Sequence, residues 1–227
     1  MTDLIIGQPA PEPEIDQWLQ GAPCSLQSLL GDVVLIEVFQ VNCPGCFAHA
    51  LPEAVRLHET YHDSGLTVLG IATAFEEFER NTACNLQHLL DTGELQGDPL
   101  EQLGKAGYLD NGRLPYDIPF SIATDRLVEN TDKVDDASID AFILSQVPDF
   151  HSDNWSDERR QLIHERALAY LHSKTHKPQT FENYGLQGTP SSIVIDRDGI
   201  VRLVKFGIPD GVEAMILQLL HTPAAGT

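Results

Sequence analysis

Cys43 and Cys46 stand two residues apart in Asn42-Cys43-Pro44-Gly45-Cys46, the closest pair among four cysteines in 227 residues. Thiol–disulfide exchange needs such a pair. A thiolate attacks a disulfide sulfur, and a second thiol within reach resolves the mixed disulfide that forms. If a helix starts at the first cysteine, the backbone N–H groups of its first turn and the helix dipole favour the thiolate. Such sites lower a cysteine pKa from about 8.5 into a range of roughly 3.5–7.5. On this reading Cys43 is the nucleophile, and Cys46, one turn further in on the same side, is the more buried resolving thiol. The spacing also forms half of a zinc site, but that site needs a further ligand pair and no second CxxC follows. Redox chemistry without a metal or a cofactor is expected.

The elements that must position the pair are visible on either side of it. Residues 33–41 (VVLIEVFQV) are an almost continuous apolar, β-branched run, the pattern of a strand buried on both faces. From Pro44 to about His62 the spacing predicts a helix, with Ala48, Leu51, Val55, Leu57 and Tyr61 as its apolar stripe and Ser64-Gly65 as its stop. Pro44 suits the first helical position, where its missing N–H does no harm, and Pro52 should kink the helix. Residues 66–73 (LTVLGIAT) read as a second buried strand, completing a βαβ unit. Glu37 interrupts the first strand, and a carboxylate there is unfavourable unless protonated or hydrogen-bonded.

Residues 1–31 read as an irregular lead-in, since Pro9, Pro11 and Pro13 forbid a helix. Helical spacing returns over 75–90, 99–106, 137–147 and 156–174, where Ser156, Asp157 and Glu158 make an N-terminus. Residues 118–124 read as a strand near a sheet edge because of Pro119. Gly188-Thr189-Pro190 precedes a predicted hairpin of 192–196 and 200–206 about the turn Arg197-Asp198-Gly199, and a last helix spans about 210–221.

Taken together, GDVVLIEVFQVNCPGCFAHALP, LTVLGIAT and GTPSSIVIDRDGIVRLVKFG resemble the redoxin and TlpA-like (AhpC/TSA-related) group of thioredoxin-like thiol:disulfide oxidoreductases. The resemblance covers roughly 130–150 residues at the two ends of the chain. It implies an α/β thioredoxin fold, a central mixed sheet flanked by helices, with the CxxC opening the first core helix. It further implies a cis peptide between Thr189 and Pro190 that presents backbone to a substrate disulfide beside Pro44 and Gly45. Glu37 matches the buried acid that thioredoxins carry six residues before the nucleophile, which implies a proton relay to or from Cys46. Asn42 departs from the aromatic residue common before the first cysteine. The segments 76–115 and 127–180 exceed that group's usual connections, and they are expected to be helical insertions in a single thioredoxin-like domain of residues 1–227.

Composition narrows the partners. With 34 acidic residues against 14 basic ones, the net charge is −20. Such a surface repels phosphate backbones and anionic lipid heads, so neither nucleic acid nor a membrane is an expected partner. No window holds the roughly 18 apolar residues of a membrane span, and the first twenty residues lack a basic n-region, so a cytoplasmic protein is expected. The expected partners are a disulfide-containing protein or small thiol and a cellular thiol reductant or reductase; the oligomeric state is left open.

Other chemistry is weaker. Cys84 falls off the apolar face of its predicted helix and reads as an accessible third thiol, and Cys24 has no partner in the pattern. His58 with His62, and His172 with His176, have metal-ligand spacing on a helix without a completing ligand, and His49 follows Cys46 by one turn. A peroxiredoxin-like peroxidase is an alternative function, but Gln40 and Ile36 occupy the places of its Thr/Ser and Pro. A copper-handling protein is another, although those resemble CxxxC rather than CxxC. A binding module with a vestigial dithiol is the third.

Overall fold

The computed structural model describes residues 5–152 and 154–222. In chain order its strands are β1 (Ile15–Gln20), β2 (Val33–Phe39), β3 (Leu66–Ala72), β4 (Ser121–Asp125), β5 (Leu127–Glu129), β6 (His176–Pro178), β7 (Ser191–Ile195) and β8 (Val201–Phe206). The α-helices are α1 (Leu51–Tyr61), α2 (Ala83–Thr92), α3 (Gly97–Lys105), α4 (Asp136–Gln146), α5 (Asp157–Ser173), α6 (Gln179–Asn183) and α7 (Val212–Leu220). Six strands form one mixed sheet in the order β1-β4-β3-β2-β7-β8. Within it β2, β3 and β4 run parallel, while β1, β7 and β8 pair antiparallel to their neighbours.

All seven residues of β2 are buried, because both faces of the sheet are covered. Val33, Leu35 and Phe39 pack into a cluster with Cys46, Phe47, Leu51 and Ala54. Val34, Ile36 and Val38 join Ile193, Ile195, Phe181 and Tyr184 on the other face. Each fully buried Val, Ile or Leu contributes about 1.5–3 kcal/mol, so β2 is firmly anchored in the core. Its carboxyl end, where the cysteine pair begins, is a fixed point.

The chain divides into two compact units, one of residues 1–127 and 178–227, the other of 128–177. The second unit has its own small core, in which Ile139 and Ile143 of α4 meet Ala167 of α5 and Phe150. Its helices start as their sequences require: Asp135 and Ser138 form a reciprocal capping box for α4, and Ser156 caps α5. Among the described residues, no helix is long and apolar enough to cross a membrane.

Three local expectations are corrected. The proline-rich lead-in contains β1, whose side chains Ile15, Trp18 and Leu19 alternate too imperfectly to signal a strand. As a result β4 is covered by β1 and is not an edge, and Pro119 lies just before the strand, where no ladder bond is lost. The helix expected over 75–90 is confined to α2, because Asn81 folds its side-chain amide onto the carbonyls of Glu76 and Glu77 and Thr82 then caps α2. Glu77 there has a φ of 48°, which interrupts any helix.

From Gly7 to Glu12 the lead-in is held at several points. Gly7 donates to the Val201 carbonyl, Val201 to the Gln8 carbonyl and Ala10 to the Gly199 carbonyl, so the segment lies along the start of the edge strand β8. Further on, Glu12 accepts from the backbone of Leu26 and Gln27, and Pro11 accepts from the Tyr184 hydroxyl.

Candidate active site

The chain leaves β2 at Phe39 and turns through Val41 and Asn42, and its helical path begins at Pro44, as its fixed φ favours. Cys43 and Cys46 are joined by a disulfide with their Cα atoms 5.4 Å apart. Cys43 is half-buried and Cys46 fully buried, which leaves the first sulfur as the one a partner can reach. The Cys46 backbone N–H donates to Cys43 Sγ at 3.2 Å, the kind of contact that favours a thiolate once the bond is reduced. Opposite stands the loop before β7, where the Thr189–Pro190 peptide is cis. The Thr189 carbonyl oxygen lies 3.8 Å from Cys43 Sγ. Pro44 and Gly45 are half-buried, and a Cβ added to Gly45 would meet nothing within 4 Å, so this corner is open.

The helix after Cys46 is unusual in its first turn. Residues Cys46–Ala50 form a π-helical turn in which Leu51 N–H reaches back to the Cys46 carbonyl. Pro52 follows with no N–H, so the next carbonyl in that register, Phe47, has no helical donor. The Tyr116 hydroxyl supplies it, donating to the Phe47 carbonyl at 2.9 Å. Burial pushes the Tyr116 phenol far up, so it stays a donor at all working pH values. Tyr116→Phe should leave this carbonyl unsatisfied and destabilise the protein by about 1–2 kcal/mol. For a chain of this size that corresponds to a Tm lowered by roughly 2–8 °C, read by calorimetry; an unchanged Tm would mean that the bond contributes nothing.

Glu37 is 1% exposed and faces the same side of β2 as Val33, Leu35 and Phe39, which is the side on which Cys46 is packed. Its Oε2 accepts from the Ser192 hydroxyl at 2.7 Å, and among the described residues Oε1 has no hydrogen-bond partner. Desolvation raises its pKa to about 8, with the Ser192 bond opposing only part of the shift. The carboxyl is therefore largely protonated at neutral pH.

A polar network surrounds the approach to Cys43. Asn42 N–H donates to Asn81 Oδ1 at 2.8 Å, Asn42 Nδ2 donates to Glu77 at 2.6 Å, and Asp98 N–H donates to Asn42 Oδ1 at 3.0 Å. Arg80 and Asp98 form an ion pair beside it. Gln40, 4% exposed, donates to the Glu76 carbonyl and accepts from the Thr189 hydroxyl. Gln40, Asn81 and Tyr116 were not among the expected site residues. Gln40 is legible in retrospect as a second polar interruption of the apolar run 33–41, whereas Asn81 and Tyr116 carry no local signal because their partners lie far away in sequence.

The remaining sequence candidates lie elsewhere. Cys24 and Cys84 are free thiols, the latter exposed. The His58 and His62 rings lie 5.2 Å apart, with His58 edge-on to Phe120. His172 sits in α5 while His176 is in β6, so their helical spacing is not realised. Among the described residues no three His, Cys, Asp or Glu side chains are grouped to hold a metal.

Comparison with known proteins agrees with this geometry. No family model matches the chain. It is 24% identical over 221 residues to Protein FixW of Rhizobium leguminosarum, covering 87% of this chain and 97% of that one. Protein DipZ of Mycobacterium tuberculosis is 40% identical over 75 residues, which is 30% of this chain and only 11% of DipZ. Among solved structures, a thioredoxin-like superfamily protein matches 95% of this chain and 98% of its own at 25% identity and a TM-score of 0.59. A thiol-disulfide isomerase from Corynebacterium glutamicum matches 94% and 97% at 24% identity and a TM-score of 0.57. With its six-stranded mixed sheet and a cysteine pair closing on itself where β2 meets the first core helix, this chain is a thioredoxin-like protein, similar in fold to thiol-disulfide oxidoreductases.

Proposed function

We propose that the protein exchanges disulfides with protein or small-thiol partners through the dithiol of Cys43 and Cys46. The observation that carries this reading is a disulfide with one reachable and one buried sulfur at a helix start, facing a cis-proline loop. In the reducing direction, the Cys43 thiolate attacks one sulfur of a substrate disulfide and expels the other as a thiolate. Cys46, losing its proton, then attacks Cys43 Sγ and expels the second substrate sulfur. The substrate gains two electrons and two protons and the protein is left with the Cys43–Cys46 disulfide, which a cellular dithiol reductant then reduces back to the dithiol, itself becoming a disulfide. In its ionised fraction Glu37 takes up the Cys46 proton, and in its protonated form it returns one in the reverse direction, an assignment supported by its raised pKa, an Oε1 without a hydrogen-bond partner among the described residues, and its place on the Cys46 face. Thr189, Pro190, Pro44 and Gly45 form the surface that meets the substrate. The chain acts as one thioredoxin-like domain of residues 1–227, with 76–115 and 127–180 as its insertions.

The test is equilibration in glutathione buffers of graded potential, followed by denaturing alkylation and mass spectrometry. Cys43 and Cys46 should lose their labels together as a two-electron couple, while Cys24 and Cys84 stay labelled throughout. Stable glutathionylation of Cys43 with Cys46 still free, or pairing of Cys43 with Cys84, would overturn the assignment.

A further inference from the structure

Gln40 lies three residues before Cys43, just past the end of β2, with its side-chain amide shut away from water. An amide buried at the end of an apolar strand is unfavourable unless its groups are bonded. Here they are bonded to two different loops. Nε2 donates to the Glu76 carbonyl at 3.2 Å, and Oε1 accepts from Thr189 Oγ1 at 3.1 Å. The Glu76 carbonyl accepts a second bond, from Asn81 Nδ2 at 3.0 Å, and Asn81 Oδ1 in turn accepts from the Asn42 N–H. An unbroken run of hydrogen bonds therefore joins Thr189, which faces Cys43, to Asn42, which is bonded to it. Removing one member of such a partly buried network leaves its neighbours' polar groups unpaired, so the links support one another.

We propose that Gln40 is a positioning residue for disulfide exchange: it fixes Thr189 against the loop of residues 75–81, and so sets the gap between the Thr189 carbonyl and Cys43 Sγ. The inference rests on the thiol–disulfide reading above. In the reduced protein the Cys43 S–H can donate to that carbonyl, and a bond to the neutral form disfavours ionisation. Releasing Thr189 therefore favours the thiolate while blurring the surface on which a substrate disulfide must align.

Gln40→Leu, Thr189→Val and the double variant would be compared in two measurements. The second-order rate of insulin reduction should fall roughly tenfold in each single variant and by no more in the double, because all three break one link. The pH midpoint of Cys43 alkylation by iodoacetamide should move down by about 0.3–0.5 unit in each, with the urea-unfolding midpoint measured alongside to tell release of Thr189 from a loosened fold. Losses that multiply in the double variant, or an unmoved alkylation midpoint, would overturn the proposal. Should Gln40→Leu fail to fold, Thr189→Val reads the same link from its other end. Wild-type protein that reduces no disulfide would defeat the exchange reading itself, a result distinct from variants that behave like an active wild type.

Discussion

Cys43→Ser should abolish the proposed disulfide exchange, and Cys46→Ser should turn the protein into a trap for its partner. A serine hydroxyl is essentially un-ionised at neutral pH and is a far poorer nucleophile than a thiol, so the rate of insulin reduction should fall by on the order of 10³-fold or more in the first variant. In the second, Cys43 should still attack while nothing resolves the product. A mixed disulfide should then accumulate with the partner, stable to non-reducing electrophoresis and released by dithiothreitol. The exposure difference between the two sulfurs makes the outcomes asymmetric: only Cys43 offers a surface to a partner, since Cys46 is wholly buried. If Cys46→Ser attacked nothing while Cys43→Ser formed adducts, the roles would be reversed.

Glu37→Gln should change how stability depends on pH. In the folded protein the carboxyl titrates at about 8, against 4.5 in its ordinary surroundings. Between those values the native state holds a proton that the unfolded chain has lost, so native stability declines as pH rises through this window. Glutamine does not titrate and keeps a carbonyl for Ser192, so the variant should gain on the wild type steadily, reaching on the order of 2–4 kcal/mol by pH 8. Urea unfolding of the oxidised protein at pH 5, 6.5 and 8 measures this, and parallel curves would show that Glu37 is not held protonated. A separate measurement decides its role in chemistry. The pH profile of exchange should lose an inflection near 8 in the variant, and an unchanged profile would leave Glu37 a structural acid only.

Much of this site is readable because its elements are built from local signals. The run from Val33 to Phe39 needs no tertiary context to announce a doubly buried strand, and Pro44 and Gly65 bracket the helix that follows it. The hairpin of β7 and β8 is equally local, since Asp196 accepts from the backbone of Asp198 and Ile200 within its own turn. What escapes the sequence is everything decided by distant partners. Ile15–Gln20 becomes a strand only because β4 offers it an edge, and Phe75–Arg80 gives up helical spacing because Asn81, Gln40 and Asn42 draw its carbonyls and side chains toward the cysteine loop. The π-helical turn is a third case: Pro52 forecasts a disturbance, but its form depends on a phenol 69 residues beyond Phe47.

The strapping of the amino-terminal segment across Val201 bears on how this sheet ends. An outermost strand offers unpaired donors and acceptors to any passing chain, and is the usual seed of unwanted sheet growth. Here the first position of β8 is already occupied, and the strip of residues 7–10 that occupies it carries Pro9, bridged to Ile200. Pro9 has no N–H to give, so at this end of β8 the border offers another strand an interrupted row of donors. The irregularity that makes this stretch look structureless in the sequence is what lets it serve as a selvedge.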